Sequence, residues 1–230
     1  MTTVTIAARF NGPPASANGG WVSGIVAGLV GGHTEVTLWA PPPLETPLDV
    51  VTGPEVVELR DGEVVVATGR PAEPGGTVPG PVTVSAAAAA AEHYPLRTGH
   101  PFPTCFTCGI DRAPGDGLRI FPGPVPGRDV VAAPWTPHPS LAGSGPLTHL
   151  AAVWAALDCP AGIAVTADGT KAVLGRMTAR VDGPVRIGHD HVVVGWATGR
   201  DGRKLFGGSA VYTADGALVA RAESTWIAAR

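Results

Sequence analysis

The sequence predicts an α+β protein made of two similar halves, each with one central helix wrapped by a curved antiparallel β-sheet. Each half contains a single segment with helical spacing of apolar residues, followed by four short segments rich in valine. Glycine-containing dipeptides separate several of these segments, which is typical of antiparallel hairpins. A βαβ fold would need helices between consecutive strands, and a β-sandwich would not explain two lone helices at matching positions.

The first half is predicted to open with a strand over Val4 to Phe10, followed by a loop and the first helix. Asn18 is a favourable N-cap residue, and Gly31-Gly32 is a stop signal. Small residues interrupt the apolar face of this helix. We expect the sheet to press closely there, because each glycine otherwise costs about 1 kcal/mol relative to alanine. The apolar face consists of Val22, Ile25, Val26, Leu29 and Val30, and the small residues are Gly24, Ala27 and Gly28.

Four predicted strands follow the first helix, and the last two are joined by Asp61-Gly62, a dipeptide preferred in tight hairpins. Val82 to Ala91 is predicted as a final strand of this half, although its run of alanines also favours a helix. The four strands cover His33 to Ala40, Leu48 to Thr52, Glu55 to Leu59 and Glu63 to Gly69.

The second half is predicted to repeat this order. Two strands, Leu118 to Phe121 and Asp129 to Pro134, precede the second helix. Pro146 suits the first position of that helix, and Pro160 with Gly162 is expected to end it. The helix has apolar residues at Leu150, Val153, Trp154 and Leu157, and strands follow over Lys171 to Val181, His191 to Thr198, Lys204 to Thr213 and Ala217 to Ala228.

The composition is that of a globular protein: 44% of the 230 residues are hydrophobic and 15% are charged. A net charge of −3, with basic residues scattered along the chain, argues against a nucleic-acid partner. No apolar stretch reaches the length of a membrane span, and the first residues lack the features of a signal peptide. Three cysteines do not suggest a disulfide framework, so we expect a soluble cytoplasmic protein with no membrane partner.

Two pairs of short motifs resemble a known family. The segments FNGPP (residues 10–14) and NGGW (18–21) resemble the opening of tandem hotdog proteins related to acyl-CoA thioesterases. The segments CFTCG (105–109) and GLRI (117–120) resemble hotdog thioesterases of the phenylacetate-pathway type. The resemblance implies a double hotdog fold, with an N-terminal repeat over residues 1–92, a linker over 93–103 and a C-terminal repeat over 104–230.

The resemblance also implies a function. Acyl thioesters would bind in the groove between the two halves, which pair edge to edge with a buried helix in each. Family members place a His-Gly-Gly or similar turn at one helix N-terminus and an acidic residue on the helix of the opposite half. The expected reaction is hydrolysis of a small or medium-chain acyl-CoA, which is the substrate, with neither a cofactor nor a metal ion.

Asn18, Gly19 and Gly20 form the candidate turn of the first half. Free N–H groups at a helix N-terminus could bind the carbonyl oxygen of a thioester, and the glycines would let a substrate approach closely. The alternative is an N-cap and a tight turn that need no ligand. Trp21 is expected to line either the acyl groove or the core. Arg176 could meet the phosphates of CoA, although a surface arginine on a strand is the alternative.

Asp158 is the candidate acid of the second half, on the flank of the apolar face of the second helix. A position near a helix C-terminus would raise its pKa and suit a general base, whereas the alternative is an exposed acid in a frayed last turn. With the glycine turn aligned over Gly145-Pro146, Asp158 matches Gly32 of the first half. We therefore expect one composite site per chain, formed by the turn of one half and Asp158 of the other.

Cys105 and Cys108 form a single CxxC pair, which is a weak zinc signal without a second pair. His100 and His138 could complete such a site, but no metal site is expected. Cys159 is expected to be a small buried residue rather than a nucleophile.

Two other functions stay open. A non-catalytic acyl-binding or acyl-CoA-binding protein, or a scaffold, could keep the fold without the chemistry. The asparagine at position 18, where the family more often has histidine, favours this alternative. A hotdog hydratase would need an Asp-His pair, and no clear motif of that kind precedes a helix. Association into a homodimer or a larger homo-oligomer is also open, and an exposed sheet edge or apolar patch would be its structural sign.

Overall fold

The computed structural model of the protein describes residues 2–229, in which one eleven-stranded antiparallel sheet surrounds two of three α-helices. Within this range, no helix combines the length and the apolar character needed to cross a membrane. The helices are α1 (Gly19–Val30), α2 (Val84–Ala91) and α3 (Leu150–Val165). The strands are β1 (Thr2–Thr5), β2 (Thr34–Leu38), β3 (Pro47–Thr52), β4 (Val57–Asp61), β5 (Val64–Pro71), β6 (Gly123–Pro124), β7 (Val131–Trp135), β8 (Ala172–Val181), β9 (His191–Asp201), β10 (Lys204–Thr213) and β11 (Leu218–Ala228).

The strands of the sheet follow the order β1-β3-β4-β5-β2-β8-β11-β10-β9-β7-β6. The strand that follows each long helix lies at the centre of the sheet, as β2 after α1 and β8 after α3. Three consecutive strands then form a meander on each side, β3-β4-β5 and β9-β10-β11. The centre is an antiparallel pairing of β2 residues Thr34 to Thr37 with β8 residues Arg176 to Ala179. One hydrogen-bonded sheet therefore continues across both halves of the chain.

Helices α1 and α3 cross each other in the core, where small residues let their backbones approach closely. A Cβ atom on Gly24 would lie 2.5 Å from Ala151 Cα, and one on Gly20 would lie 2.8 Å from Ala155 Cα. Gly24 was expected to meet the sheet. That expectation is wrong, because the neighbour that requires a glycine there is the other helix.

The first predicted strand is shorter than expected. Residues Thr2–Thr5 form β1, and Ala8–Phe10 form a turn of 3-10 helix. The Ala8 N–H donates to the carboxylate of Glu45, and the Phe10 N–H donates to the carbonyl of Ala7, so neither is available to a strand partner. The other strands predicted around the two meanders are confirmed, with ends within three residues of those expected.

The prediction of a strand over Val82 to Ala91 is wrong, because this segment contains helix α2. The Ala86 N–H donates to Thr83 Oγ1 at 3.2 Å, which caps the helix, and the alanines have the highest intrinsic helix propensity. Ala87 and Ala90 are buried in a cluster with strands of the second half, so α2 packs against the far end of the sheet.

The second long helix differs from the prediction at both ends. It starts at Leu150 with His149 as N-cap, so Pro146 does not occupy its first position. It passes through Pro160 and Gly162 and ends at Val165, because its residues are buried on all sides and tertiary packing overrides these stop signals. The Trp226 ring packs where Gly162 has no side chain, since a Cβ there would lie 2.6 Å from it.

The predicted strand over Leu118 to Phe121 does not belong to the sheet. The Leu118 N–H donates to the carbonyl of Phe106 at 2.8 Å, and the Ile120 N–H donates to that of Thr107 at 2.9 Å. This segment is extended, but its partner is the CFTCG loop rather than a strand.

Candidate active site and thiol cluster

Two hydrogen bonds join the N-terminus of α1 to the middle of α3, beside the bond that caps α1 itself. Asn18 caps α1, because its Oδ1 accepts the Trp21 N–H at 2.8 Å. The side-chain amide of Asn18 donates through Nδ2 to Asp158 Oδ2 at 3.0 Å. The Gly20 N–H donates to the same Asp158 Oδ2, also at 3.0 Å. The structure therefore brings Asn18, Gly20 and Asp158 into direct contact, with the acid and its two donors on different helices.

Asp158 lies within α3 rather than near its end. It is the ninth of the sixteen residues of the helix and only 2% exposed. Burial raises the pKa of Asp158 to about 7, with a further upward effect of the neighbouring Cys105, and the bonds from Gly20 and Asn18 act against this rise. The expected cause, a helix C-terminus, is wrong, because the dominant cause is loss of solvent. Asp158 Oδ1 is buried and has no hydrogen-bond partner among residues 2–229.

Gly20 is required by the crossing of the helices. A Cβ atom there would lie 2.6 Å from Asp158 Cβ and 2.7 Å from the carbonyl oxygen of Trp154. Gly19, one residue earlier, faces apolar side chains instead, since a Cβ there would lie 3.0 Å from Leu174 and 3.1 Å from Leu38. The two glycines of the turn thus have different neighbours: Gly20 lies against α3, and Gly19 lies against the inner face of the sheet.

Trp21 is buried in an aromatic cluster beside this contact. Its ring stacks on Phe10 at a centroid distance of 3.6 Å and meets Phe106 edge-on at 5.1 Å. The imidazole of His149 lies on it at 5.6 Å and is nearly parallel. The structure therefore places Trp21 in the core next to Asn18, and its indole packs against aromatic side chains from three other segments.

Arg176 is not brought to this contact. Its Nε donates to Thr37 Oγ1 at 3.0 Å, and its guanidinium lies 3.8 Å from the carboxylate of Glu35. Successive strand residues point to opposite faces, and the adjacent Met177 is fully buried in the core. Arg176 is therefore on the outer face, where it lines a groove of about 320 Å³ with Thr178 and Phe206.

The segments that suggested a family resemblance lie side by side. The Phe106 N–H donates to the carbonyl of Asn11 at 2.7 Å, which joins the CFTCG loop to the FNGPP loop. Arg112 hydrogen-bonds to Asn11 Oδ1, and Thr107 Oγ1 donates to the carbonyl of Ala155 on α3 at 3.0 Å. Residues distant in sequence thus hold the N-terminus of α1 against α3.

Cys105, Cys108 and Cys159 form a buried cluster next to Asp158, with their three sulfur atoms within 4.8 Å of one another. All three are free cysteines. Hydrogen bonds to its sulfur from the neighbouring thiols, and from the backbone amides of Cys108 and Thr107, lower the pKa of Cys105. Asn18 Nδ2 also lies 3.9 Å from Cys105 Sγ, so one amide group borders both the acid and the thiols.

The two histidines considered as partners of the CxxC pair lie in different places. His100 Nε2 is 3.4 Å from Cys108 Sγ, whereas His138 caps a 3-10 turn and accepts the Ser140 N–H. Cys159 is buried as expected, but its contact with the CxxC pair was not predicted. Sequence spacing held no signal for it, since Cys159 comes from α3 and the other two from a loop.

The N-terminus of α3 is arranged differently from that of α1. His149 Nδ1 accepts the Ala151 N–H at 3.1 Å, so the helix caps its second amide with its own side chain. Ala27 is the ninth residue of α1, the position that Asp158 holds in α3. The expected match of Asp158 with Gly32 is wrong, because it assumed that α3 starts at Pro146. His149 was not identified from the sequence, since histidine is not among the favoured N-cap residues.

Solved structures with similar folds include three that match most of this chain. A conserved protein of unknown function with a hotdog fold, from Alicyclobacillus acidocaldarius, is 12% identical over 99% of this chain and 92% of its own, with a TM-score of 0.55. Acyl-CoA thioesterase II from Mycobacterium marinum is 13% identical over 91% and 90%, also at 0.55. A candidate thioesterase from Novosphingobium aromaticivorans is 14% identical over 99% of this chain and 95% of its own, with a TM-score of 0.61.

This chain has a hotdog fold. At these identities the likeness concerns the fold, and no protein-family model and no curated protein matches the sequence. The contact of Asp158 with the N-terminus of α1 lies inside the hotdog sheet, where both long helices are buried.

Proposed function

We propose that this protein hydrolyses small or medium-chain acyl-CoA thioesters at a composite site, where Asp158 of α3 faces the N-terminus of α1. The observation that supports this function is the pair of 3.0 Å hydrogen bonds from Gly20 N–H and Asn18 Nδ2 to Asp158 Oδ2. They set a carboxylate of one half against the amide donors of the other. The resemblance of the motifs and the hotdog fold shared with thioesterases support the same chemistry.

In the proposed reaction, Asp158 accepts a proton from the water that attacks the thioester carbonyl, and the Gly20 N–H donates to the developing oxyanion. The proton then passes to the departing thiolate, so the products are a carboxylic acid and free CoA thiol. In this step the thioester carbonyl oxygen replaces Asp158 Oδ2 as the acceptor of the Gly20 N–H. Leu38 and Leu174, which border Gly19, would form an apolar wall for the acyl chain.

The proposed architecture is a double hotdog, with repeats over residues 1–92 and 104–230 joined by a linker over 93–103. The shared strand order on both sides of the β2–β8 pairing supports the duplication. Helix α2 belongs to the first of these spans by sequence but packs against strands of the second. Ala27, the residue of α1 that matches Asp158 of α3 by its position in the helix, is not acidic, which supports one site per chain.

A non-catalytic acyl-binding protein is the second candidate function. The observation that favours it is that the site is closed to solvent, since Asp158 and Asn18 are each only 2% exposed. In addition, both amide donors of the site already donate to Asp158 itself. A carboxylate whose Oδ2 is held in this way could serve only to hold the two helices together.

The two functions are separated by assaying thiol release from short-chain, medium-chain and aromatic acyl-CoAs, with substrate binding measured in parallel. The decisive variant is Asp158→Asn, which keeps the shape of the side chain but removes the base. Asp168→Asn is the matched control, because Asp168 is an exposed acid beyond α3 that pairs with Arg200. We expect turnover to fall at least about 100-fold in Asp158→Asn with binding retained, and to stay unchanged in the control.

Each other outcome has a distinct meaning. If Asp158→Asn still turns over acyl-CoA, the protein is a thioesterase but Asp158 is not its base. Binding of acyl-CoA without turnover by the unmodified protein would favour the acyl-binding function. Neither binding nor turnover across the panel would overturn both functions.

A further inference from the structure

The three sulfur atoms of the thiol cluster are spaced as the ligands of one metal ion would be. Cys105 Sγ and Cys159 Sγ are 3.8 Å apart, and all three sulfurs lie within 4.8 Å of one another. A bond of about 2.3 Å from a central ion to each sulfur would place the sulfurs of a tetrahedral or trigonal set about 3.8–4.0 Å apart. A disulfide would need about 2.05 Å between two of them and would leave the third unpaired.

Hydrogen-bond donors surround the cluster. His100 Nδ1 accepts the Phe102 N–H at 2.9 Å, so the proton of the neutral ring is on Nε2, which points to Cys108 Sγ at 3.4 Å. Asn18 Nδ2 approaches Cys105 Sγ from the other side at 3.9 Å. Cysteines buried simply as small apolar groups would not need two N–H donors, whereas thiolates bound to a metal are stabilised by such donors.

Apart from the Asp158 carboxyl and the Tyr94 hydroxyl, the side chains packed against the cluster are mainly apolar. Tyr94, Ile163 and Phe102 pack around the three cysteines. The Tyr94 hydroxyl donates to the backbone carbonyl of Cys108 at 3.2 Å. A dry shell of this kind slows exchange of a bound ion with solvent, and sulfur ligands select soft ions over Mg²⁺ or Ca²⁺.

We propose that Cys105, Cys108 and Cys159 bind one thiophilic d10 metal ion through three sulfurs, with Zn²⁺ and Cu⁺ as the two candidates. The ion would join the CFTCG loop to α3 next to Asp158, replacing the thiol protons on binding. His100 would be a hydrogen-bonding neighbour rather than a ligand, because its Nε2 is protonated in the tautomer set by Phe102. This site does not depend on thioester hydrolysis.

The test uses the full chain, purified with a reductant and a chelator and then freed of both without oxygen. It is titrated with Zn²⁺ against a chromophoric chelator and, in a separate arm, with Cu⁺ against a Cu⁺ chelator. Native mass spectrometry counts ions per chain. We expect one ion per chain in at least one arm and a higher thermal midpoint with the ion bound.

Four variants locate the ion. Cys108→Ser and Cys159→Ser should each abolish stoichiometric binding. His100→Gln should weaken it about 10- to 100-fold, as is usual for a group that hydrogen-bonds to a ligand. Ile163→Val, which trims an apolar neighbour in the same cluster, is the control and should retain one ion per chain.

The proposal is overturned if the unmodified protein retains neither ion, or if fewer than three free thiols are found before titration. Full binding by Cys159→Ser would overturn it as well. Loss of binding in His100→Gln as complete as in the cysteine variants would overturn the three-sulfur assignment. If the cysteine variants do not fold, the ion count and the thermal shift of the unmodified protein still decide the question.

Discussion

The two long helices of the protein present their second backbone amide to different acceptors. In α1 the Gly20 N–H donates to Asp158 of the other helix, whereas in α3 the Ala151 N–H donates to the N-cap His149. One helix start is satisfied from within, and the other depends on an acid from its partner. The starts of two helices at matching places in the fold can therefore serve different purposes. The ninth residue differs between the two helices: it is Asp158 in α3 and Ala27 in α1.

Placing an acid at position 27 of α1, the counterpart of Asp158, should have the largest effect. Ala27→Asp would bury a carboxylate, since Ala27 is 1% exposed, and the second amide of α3, Ala151 N–H, already has an acceptor in His149. We expect a loss of about 3–5 kcal/mol in the free energy of unfolding, measured by urea denaturation at pH 7. Ala27→Asn is the size-matched control and should cost less. Equal losses in the two variants would mean that size, rather than charge, excludes an acid from this position.

The close contact of the helices should be the next most sensitive feature. Gly24→Ala adds a Cβ atom 2.5 Å from Ala151 Cα, and the backbone must shift, at a cost of about 1–3 kcal/mol. Gly28→Ala, one turn later on the exposed side, meets only a leucine side chain at 3.8 Å and should stabilise the helix by up to about 1 kcal/mol. If both variants shift the urea midpoint in the same direction, the helices do not cross as described.

Asp158 should make the stability of the protein depend on pH. Because burial raises the pKa of Asp158 from 3.8 to about 7, the folded protein keeps a proton that the unfolded chain has lost between these values. The contribution of Asp158 to the free energy of unfolding is therefore fully present below pH 4. It falls by about 1.4 kcal/mol per pH unit as the pH rises towards 7. The free energy of unfolding, measured at pH 5, 6 and 7, should fall more steeply with pH in the unmodified protein than in Asp158→Asn, by this amount per unit. Parallel curves for the two proteins would contradict it.

Removing the self-cap of α3 should have the smallest effect. His149→Ala leaves the Ala151 N–H without its acceptor and should cost about 1 kcal/mol by urea denaturation. His149→Asn keeps an acceptor at the N-cap and should restore most of this loss. If His149→Asn is as unstable as His149→Ala, the stacking of His149 on Trp21 matters more than the cap.

The parts of the site predicted from the sequence are those that depend on local chemistry. Asn18 was identified as an N-cap from its residue type, and it accepts the Trp21 N–H as expected. The meeting of Asp158 with the turn at Gly20 was expected from the family resemblance, and the two are in contact. Their role in hydrolysis stays a prediction.

The parts that could not be predicted depend on tertiary packing. Pro160 is a strong local stop signal, yet α3 continues past it because the helix is buried among strands and α1. The wrong start at Pro146 moved the alignment of the halves by several residues, so Ala27 was missed as the counterpart of Asp158. Cys159 meets the CxxC pair only because a loop folds onto the middle of α3, which no spacing in the sequence indicates.

The short outer strands have a consequence for how copies of the chain can meet. Growth of the sheet by addition of a further strand would have to use β1, with four residues, or β6, with two. Edges this short present few unpaired backbone groups, which is a common protection against edge-to-edge aggregation. Within residues 2–229, the sheet thus offers a second copy of the chain little backbone to pair with at either edge.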